Sequence, residues 1–167
     1  GMPKGVMLTH DMVLRTAYAS AYTRAFEDGR RLAFAAPMYH VHGLVECLVA
    51  ALFVGGAVIP QDRFDATGLL ALAVRHQANE ISGVPTLTEA LLGAAREHGF
   101  ECPSLTCIFS TGGMHRPNIW QEFRDVLNAP EIVTGYGMTE TTASTTCTLP
   151  EEPVARVINS NGRCKDA

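Results

Sequence analysis

The stretch Ile132-Val133-Thr134-Gly135-Tyr136-Gly137-Met138-Thr139-Glu140-Thr141 joins a short apolar run to a glycine-spaced bend that sets a hydroxyl beside a carboxylate. The apolar run reads as a strand covered on both faces, as strands of a parallel sheet are. Glycine at the bend lets a ligand come close to the backbone. Thr139 can donate to a phosphate oxygen, and Glu140 offers the hard oxygen that Mg²⁺ accepts, directly or through a retained water. The segment reads as the carboxyl end of a strand that meets a polyphosphate carrying magnesium.

Outward from this segment, apolar runs alternate with stretches of helical period, the pattern of βαβ units around a parallel sheet. Strands are expected at 32–36, 57–60, 80–84, 107–110 and 132–134, and helices at 11–27, 44–54, 66–77, 85–98 and 117–127. Thr9 or Asp11 suits the cap of the first helix and Asp65 or Thr67 that of the third, while Pro85 and Pro117 suit a first helical turn. Gly29, Gly55 and Gly99 stand where helices should stop. Right-handed crossovers then give an α/β fold, a three-layer sandwich with a mostly parallel sheet flanked by helices and ligand groups at the carboxyl ends of the strands. Residues 1–150 read as one α/β subdomain. After Thr141 the run 143–149 is β-prone but soon meets Pro150 and Pro153, so loops and one edge strand are expected there, and residues 151–167 read as a tail.

The 167 residues suffice for one domain with a continuous core, and 47% hydrophobic with 18% charged residues is the balance of a globular chain. A net charge of −4 without a local Lys/Arg cluster gives no footprint for nucleic acid. The apolar run 44–59 is broken by Glu46 and Gly55-Gly56, too soon for a membrane span. Five cysteines without a C-x-x-C pair indicate neither a disulfide framework nor a zinc ribbon, and read as reduced thiols of a cytoplasmic protein. The G-x-x-x-x-G-K-[ST] phosphate loop and the G-x-S-x-G elbow are both absent, which disfavours P-loop and serine-hydrolase chemistry. Trp120, Phe123, Val126 and Leu127 read as a helix face packed on the sheet.

Two further segments accompany the opening stretch, namely Gly1-Met2-Pro3-Lys4-Gly5-Val6 and Pro37-Met38-Tyr39-His40-Val41-His42-Gly43. In order, spacing and residue type, the three together resemble the adenylate-forming superfamily, and within it the acyl- and aryl-CoA synthetases. The resemblance spans nearly the whole chain. It implies activation of a carboxylic acid by ATP and transfer of the acyl group to coenzyme A. It assigns His40 to the acyl carboxylate and the adenylation step, Lys4 and Thr139 to phosphate, Glu140 to Mg²⁺, and Tyr136, between Gly135 and Gly137, to the adenine ring. It also matches Ser110-Thr111-Gly112-Gly113 to the segment running along the acyl-adenylate, and Gly83-Val84-Pro85-Thr86 to another turn lining the pocket. Where the family commonly continues with Ala-Pro, this chain has Met114-His115.

Each motif also has a plain reading. Lys4 suits a solvated turn, His40 an imidazole satisfied by strand-end carbonyls, His40-x-His42 half of a metal site without a third ligand, and Gly112-Gly113 an ordinary strand-to-loop turn. The resemblance further implies that the glycine-rich loop, a ribose-binding aspartate, a hinge and a lysine-bearing domain lie outside this sequence. The chain is therefore expected to be part of an enzyme, with little turnover alone and homo-oligomer formation through surface exposed by truncation. A non-catalytic nucleotide-binding module, an adenylation domain serving a carrier-protein thiol, and an unrelated α/β enzyme remain alternatives. The doubled histidine and the Gly113-Met114-His115 segment point to a small or polar acid.

Overall fold

The computed structural model describes residues 2–165; Gly1, the first residue of the opening motif, lies outside them. Five parallel strands, β1 Arg31–Phe34, β2 Ala57–Pro60, β3 Glu80–Gly83, β4 Cys107–Ser110 and β5 Glu131–Val133, form a sheet in the order β2-β1-β3-β4-β5. All five lie at the expected places, β2 and β4 to the residue and the other three shifted by one or two at their ends. Period-2 alternation divides their side chains between two cores. Ala33, Ile59, Ile81, Ile108 and Ile132 meet α3 Ala66–Arg75, α4 Pro85–His98 and α5 Ile119–Leu127 on one face. Leu32 and Phe34 meet Cys47 and Ala51 on the other, where Cys107, Phe109 and Val133 pack with Cys147. α1 His10–Thr23 lies on that second side against the segment after β1, so the sheet is covered on both faces.

Helix starts follow local chemistry. The Thr9 hydroxyl accepts the Met12 amide at 3.1 Å, the Asp65 carboxylate accepts the Gly68 amide at 2.6 Å, and Pro85 occupies the first turn of α4. Pro117 instead precedes α5, which begins at Ile119. The expected helix at 44–54 is a π-helical segment, His42–Val49, continuing into α2 Ala50–Leu52. Apolar periodicity does not separate i→i+4 from i→i+5 bonding. Here Gly43 sits so close to the Pro37 carbonyl that a Cβ would lie 2.6 Å from its oxygen.

The largest departure comes after β5. The glycine-spaced bend is itself a strand, β6 Gly135–Met138, followed by a 3₁₀ turn Thr139–Thr141 and β7 Ala143–Cys147. Residues assigned to a tail supply α6 Val154–Asn159 and β8 Arg163–Cys164. β6, β7 and β8 form an antiparallel sheet with β7 in the centre, so β7 is not an edge strand. Val157 of α6 is buried in the main core. Glycine spacing masked the strand character of β6, while β7, β-prone as expected, takes a central place because its partner selection is long-range.

Candidate active site

β1 and β3 flank the point where the strand order reverses, and the segments after β1, β4 and β5 meet there. One cleft of about 310 Å³ is lined by His40, Gly112, Gly137, Thr139 and Glu140, with Glu46 and Ser144 also in its wall. A second, of about 540 Å³, takes Gly113, His115, Trp120, Gly135 and Tyr136, with α6 and the residues after it opposite. Gly112 and Gly137 belong to both, so the two clefts are continuous. Lys4 is exposed and lines neither.

The bend around Thr139 and Glu140 is held tightly. A Cβ on Gly137 would lie 1.9 Å from the Ala143 carbonyl oxygen, so only glycine permits this crossing of β6 and β7. The Thr141 hydroxyl, 3.0 Å from the Met138 carbonyl, accepts the Met138 amide at 3.1 Å. Thr142 and Ala143 then run at φ of 63° and 112°, sparsely populated backbone for non-glycine residues. The Thr111 hydroxyl donates to the Gly135 carbonyl at 2.6 Å, tying the loop after β4 to β6. Thr139 and Glu140 side chains are exposed and make no hydrogen bond or ion pair among the described residues.

The two histidines after β1 divide the work. The Nδ1 of exposed His40 accepts the His42 amide at 3.1 Å, which leaves Nε2 to carry the proton of the neutral ring. His42 is buried, 2.9 Å from the Ser82 hydroxyl through Nε2, and its ring stacks on Phe109 with centroids 5.7 Å apart. Burial lowers its pKa to about 4, so it is neutral and structural. Among the described residues no group of three or more His, Cys, Asp or Glu side chains is placed to hold a metal ion.

Behind the cleft lies a charged cluster that the motifs do not include. Glu46 accepts the Ser20 hydroxyl at 2.6 Å, the Ser144 amide at 2.8 Å and the Ser144 hydroxyl, and its oxygens lie 3.2 and 3.3 Å from Lys165 Nζ. Arg24, fully buried, pairs with Glu80 and donates to the Glu46 carbonyl. Burial alone would raise the Glu46 pKa, but Lys165, Arg24 and the two serine hydroxyls outweigh it and bring the carboxyl down to about 2. A lone glutamate inside the apolar run 44–52 was the available signal, since a buried carboxylate needs partners. The sequence does not say which partners.

On the second cleft, His115 lies with its ring centroid 4.4 Å from that of Trp120. Trp120 is buried core as expected, yet it also reaches the cleft wall. Arg116 donates to Glu89 at 2.6 Å and to Glu122 at 2.7 Å, fastening the Gly113–Arg116 loop to α4 and α5. Gly112 and Gly113 back onto Val84 and Pro85, to which added Cβ atoms would come within 3.5 and 3.1 Å. The 83–86 turn thus supports the glycine loop without lining either cleft.

A family model described as AMP-binding enzyme matches residues 1–165. Acyl-CoA ligase SID4 of Ajellomyces capsulatus is 33% identical over 152 residues, covering 88% of this chain and 25% of that protein. The 2-succinylbenzoate--CoA ligase of Bacillus subtilis (strain 168) is 31% identical over 152 residues, covering 90% of this chain and 30% of its own length. Among solved structures, the N-terminal domain of FACL13 from Mycobacterium tuberculosis superposes with a TM-score of 0.88 at 26% identity, over 98% of this chain and 41% of that one. O-succinylbenzoate Coenzyme A Synthetase (MenE) from Bacillus subtilis, in complex with ATP and magnesium ion, gives 0.84 at 30% identity, over 99% and 33%. The chain spans 25–30% of the length of the first curated relatives. Matched over almost its entire length, it belongs to the AMP-binding enzyme family, as its glycine-bordered motifs indicated.

Proposed function

We propose that this chain forms the adenylation cleft of an ATP-dependent carboxylic acid:CoA ligase. The observation that carries the reading is the convergence of His40, Gly112, Gly137, Thr139 and Glu140, from three separated stretches of sequence, on one cleft. In the first step a carboxylate oxygen attacks the α-phosphorus of ATP, forming the acyl-phosphate anhydride and releasing pyrophosphate. In the second the thiolate of coenzyme A attacks the acyl carbon and AMP leaves.

The residues present contribute mainly by positioning and charge. His40 presents a ring N–H toward the carboxylate and the charge that develops on the α-phosphate. Thr139 donates to a phosphate oxygen. Gly112 and Gly137 bring main chain to the wall shared by both clefts, where the acyl-phosphate meets backbone rather than side chains. Tyr136, half exposed in the larger cleft, offers a face for the adenine ring. Lys4, exposed on the opening segment and outside both clefts, is assigned to neutralising phosphate charge on its motif alone. Glu140, an unpaired carboxylate beside a hydroxyl, suits Mg²⁺, which is commonly held by one or two carboxylates together with substrate phosphates. Bound there, Mg²⁺ neutralises charge on the phosphates during displacement.

Pyrophosphate exchange by a protein extended to the length of its relatives tests the reading. Acid-dependent exchange that His40→Ala and Glu140→Ala each suppress supports it, and its absence with a broad panel of carboxylic acids removes it. The chain alone is expected to turn over slowly. It is also expected to self-associate through the exposed Tyr18, Tyr22 and Phe53 side of α1 and α2, and a monomeric profile at all concentrations would count against that.

A further inference from the structure

The larger cleft carries a hydrogen-bond relay whose direction can be worked out. The Thr88 hydroxyl lies 3.1 Å from the Pro85 carbonyl and 3.4 Å from that of Val84. Carbonyl oxygens only accept, so the Thr88 proton points at them; otherwise both contacts would set lone pair against lone pair. The contact of 3.0 Å between the Thr88 and Ser110 hydroxyls must then be donated by Ser110. That commits the single Ser110 proton. The remaining contact, 2.7 Å between the Ser110 hydroxyl and His115 Nε2, must be donated by the imidazole. His115 is thereby fixed with its proton on Nε2. Its Nδ1 keeps a free lone pair and has no protein partner among the described residues.

We infer that His115 is a specificity-determining residue of the larger cleft, whose Nδ1 accepts a hydrogen bond from an exocyclic amino group of a purine base. The surroundings suit a base better than an aliphatic chain. Tyr136 supplies an aromatic face, while Thr134, Asn159 and Asn161 supply hydroxyl and amide groups for a ring edge. Continuity with the smaller cleft through Gly112 and Gly137 lets a base in one share a molecule with phosphates at Thr139 in the other. Half-burial lowers the His115 pKa, which keeps the ring neutral and Nδ1 available at neutral pH. An adenine amino group satisfies this acceptor. The exocyclic oxygen of hypoxanthine presents a second acceptor and is repelled. The inference rests on the nucleotide reading proposed above and adds what selects the base.

Trp120 is the sole tryptophan and lies against the His115 ring, so its fluorescence reports ligands in this cleft. The chain is titrated with AMP and with IMP. The wild type is expected to prefer AMP by roughly tenfold, and His115→Phe, which keeps a ring beside Trp120 but removes the acceptor, should bring the two within about twofold. AMP binding with an unchanged preference in His115→Phe overturns the inference and leaves the nucleotide reading standing. No response to either nucleotide overturns both. A long-range ¹⁵N–¹H spectrum of the unliganded wild type tests the relay without any variant. Nε2 protonated and Nδ1 bare is the expected pattern for His115, and a proton on Nδ1 sinks it.

Discussion

The Glu46 carboxylate accepts the backbone amide of Ser144 at 2.8 Å, across 98 residues of sequence. This bond pins the start of β7, just beyond the strained Thr142–Ala143 pair, to the π-helical segment that follows His40. Two walls of the smaller cleft are thus fixed relative to each other by one buried carboxylate.

Removing that carboxylate leaves the Lys165 ammonium without its carboxylate partner and takes from Arg24 a charge 3.7 Å away, while the Arg24–Glu80 pair stays in place. Glu46→Ala is expected to destabilise the chain by about 3–5 kcal/mol, the range for breaking a buried ion pair. Chemical denaturation measures it, and a loss under 1 kcal/mol would show that the cluster is not a fastening.

Acid should weaken the fold in two stages. The His42 pKa is depressed by burial to about 4 from 6.5, so the unfolded chain takes up its proton first. That contribution is complete above pH 6.5 and is lost as pH falls toward 4. The Glu46 pKa is also depressed, to about 2 from 4.5, and its contribution fades from pH 4.5 toward 2. His42→Phe should flatten the upper stage of a stability-against-pH curve and leave the lower one in place. An unchanged upper stage would mean that another group titrates there.

Gly137 has no room for a methyl group. Gly137→Ala would drive a Cβ into the Ala143 carbonyl, and the strand crossing must open to admit it. A loss of about 1–3 kcal/mol or more is expected from overpacking, together with weakened nucleotide binding. Wild-type stability in this variant would contradict the close crossing of β6 and β7.

Glu140 separates stability from ligand binding. It is exposed and unpaired among the described residues, so Glu140→Gln should change stability by no more than about 0.5 kcal/mol. Magnesium-dependent strengthening of ATP binding should nevertheless fall by about tenfold or more, read by titration with and without Mg²⁺. Equal Mg²⁺ enhancement in both proteins would remove Glu140 as the ligand.

Thiol accessibility offers a check on the packing. Of the five free cysteines only Cys164 is exposed, and burial pushes Cys47 and Cys147 up to about 12. A thiol reagent should label one cysteine quickly and the other four only on unfolding. Two or more fast thiols would show that a core is open.

Much of this molecule was legible in one dimension because its signals are local. Four-residue apolar runs bounded by polar turns located the central strands, and capping side chains at Thr9 and Asp65 marked where helices begin. Glycines beside Thr139 and His40 marked the carboxyl ends of strands, where the topology gathers them. The π-helical segment escaped, because apolar spacing is nearly the same for the two bonding patterns. β6 escaped because Gly135-Tyr136-Gly137-Met138 carries little apolar alternation, whereas the β-prone run that forms β7 was legible and its central place was not, since the pairing is enforced by Gly137 and by Glu46 rather than by propensity.

Sequence by itself determined the α/β class, the positions of the five parallel strands and the family, since each is written in short-range pattern and in the order of three motifs. Tertiary structure alone decided that Glu46 is bound by Ser20, Ser144 and Lys165, that Lys4 stands apart from both clefts, and that the His115 proton sits on Nε2. Those outcomes depend on groups brought together across tens of residues, where a buried charge or hydroxyl takes whichever partner the fold delivers, and neither side chain carries the identity of the other.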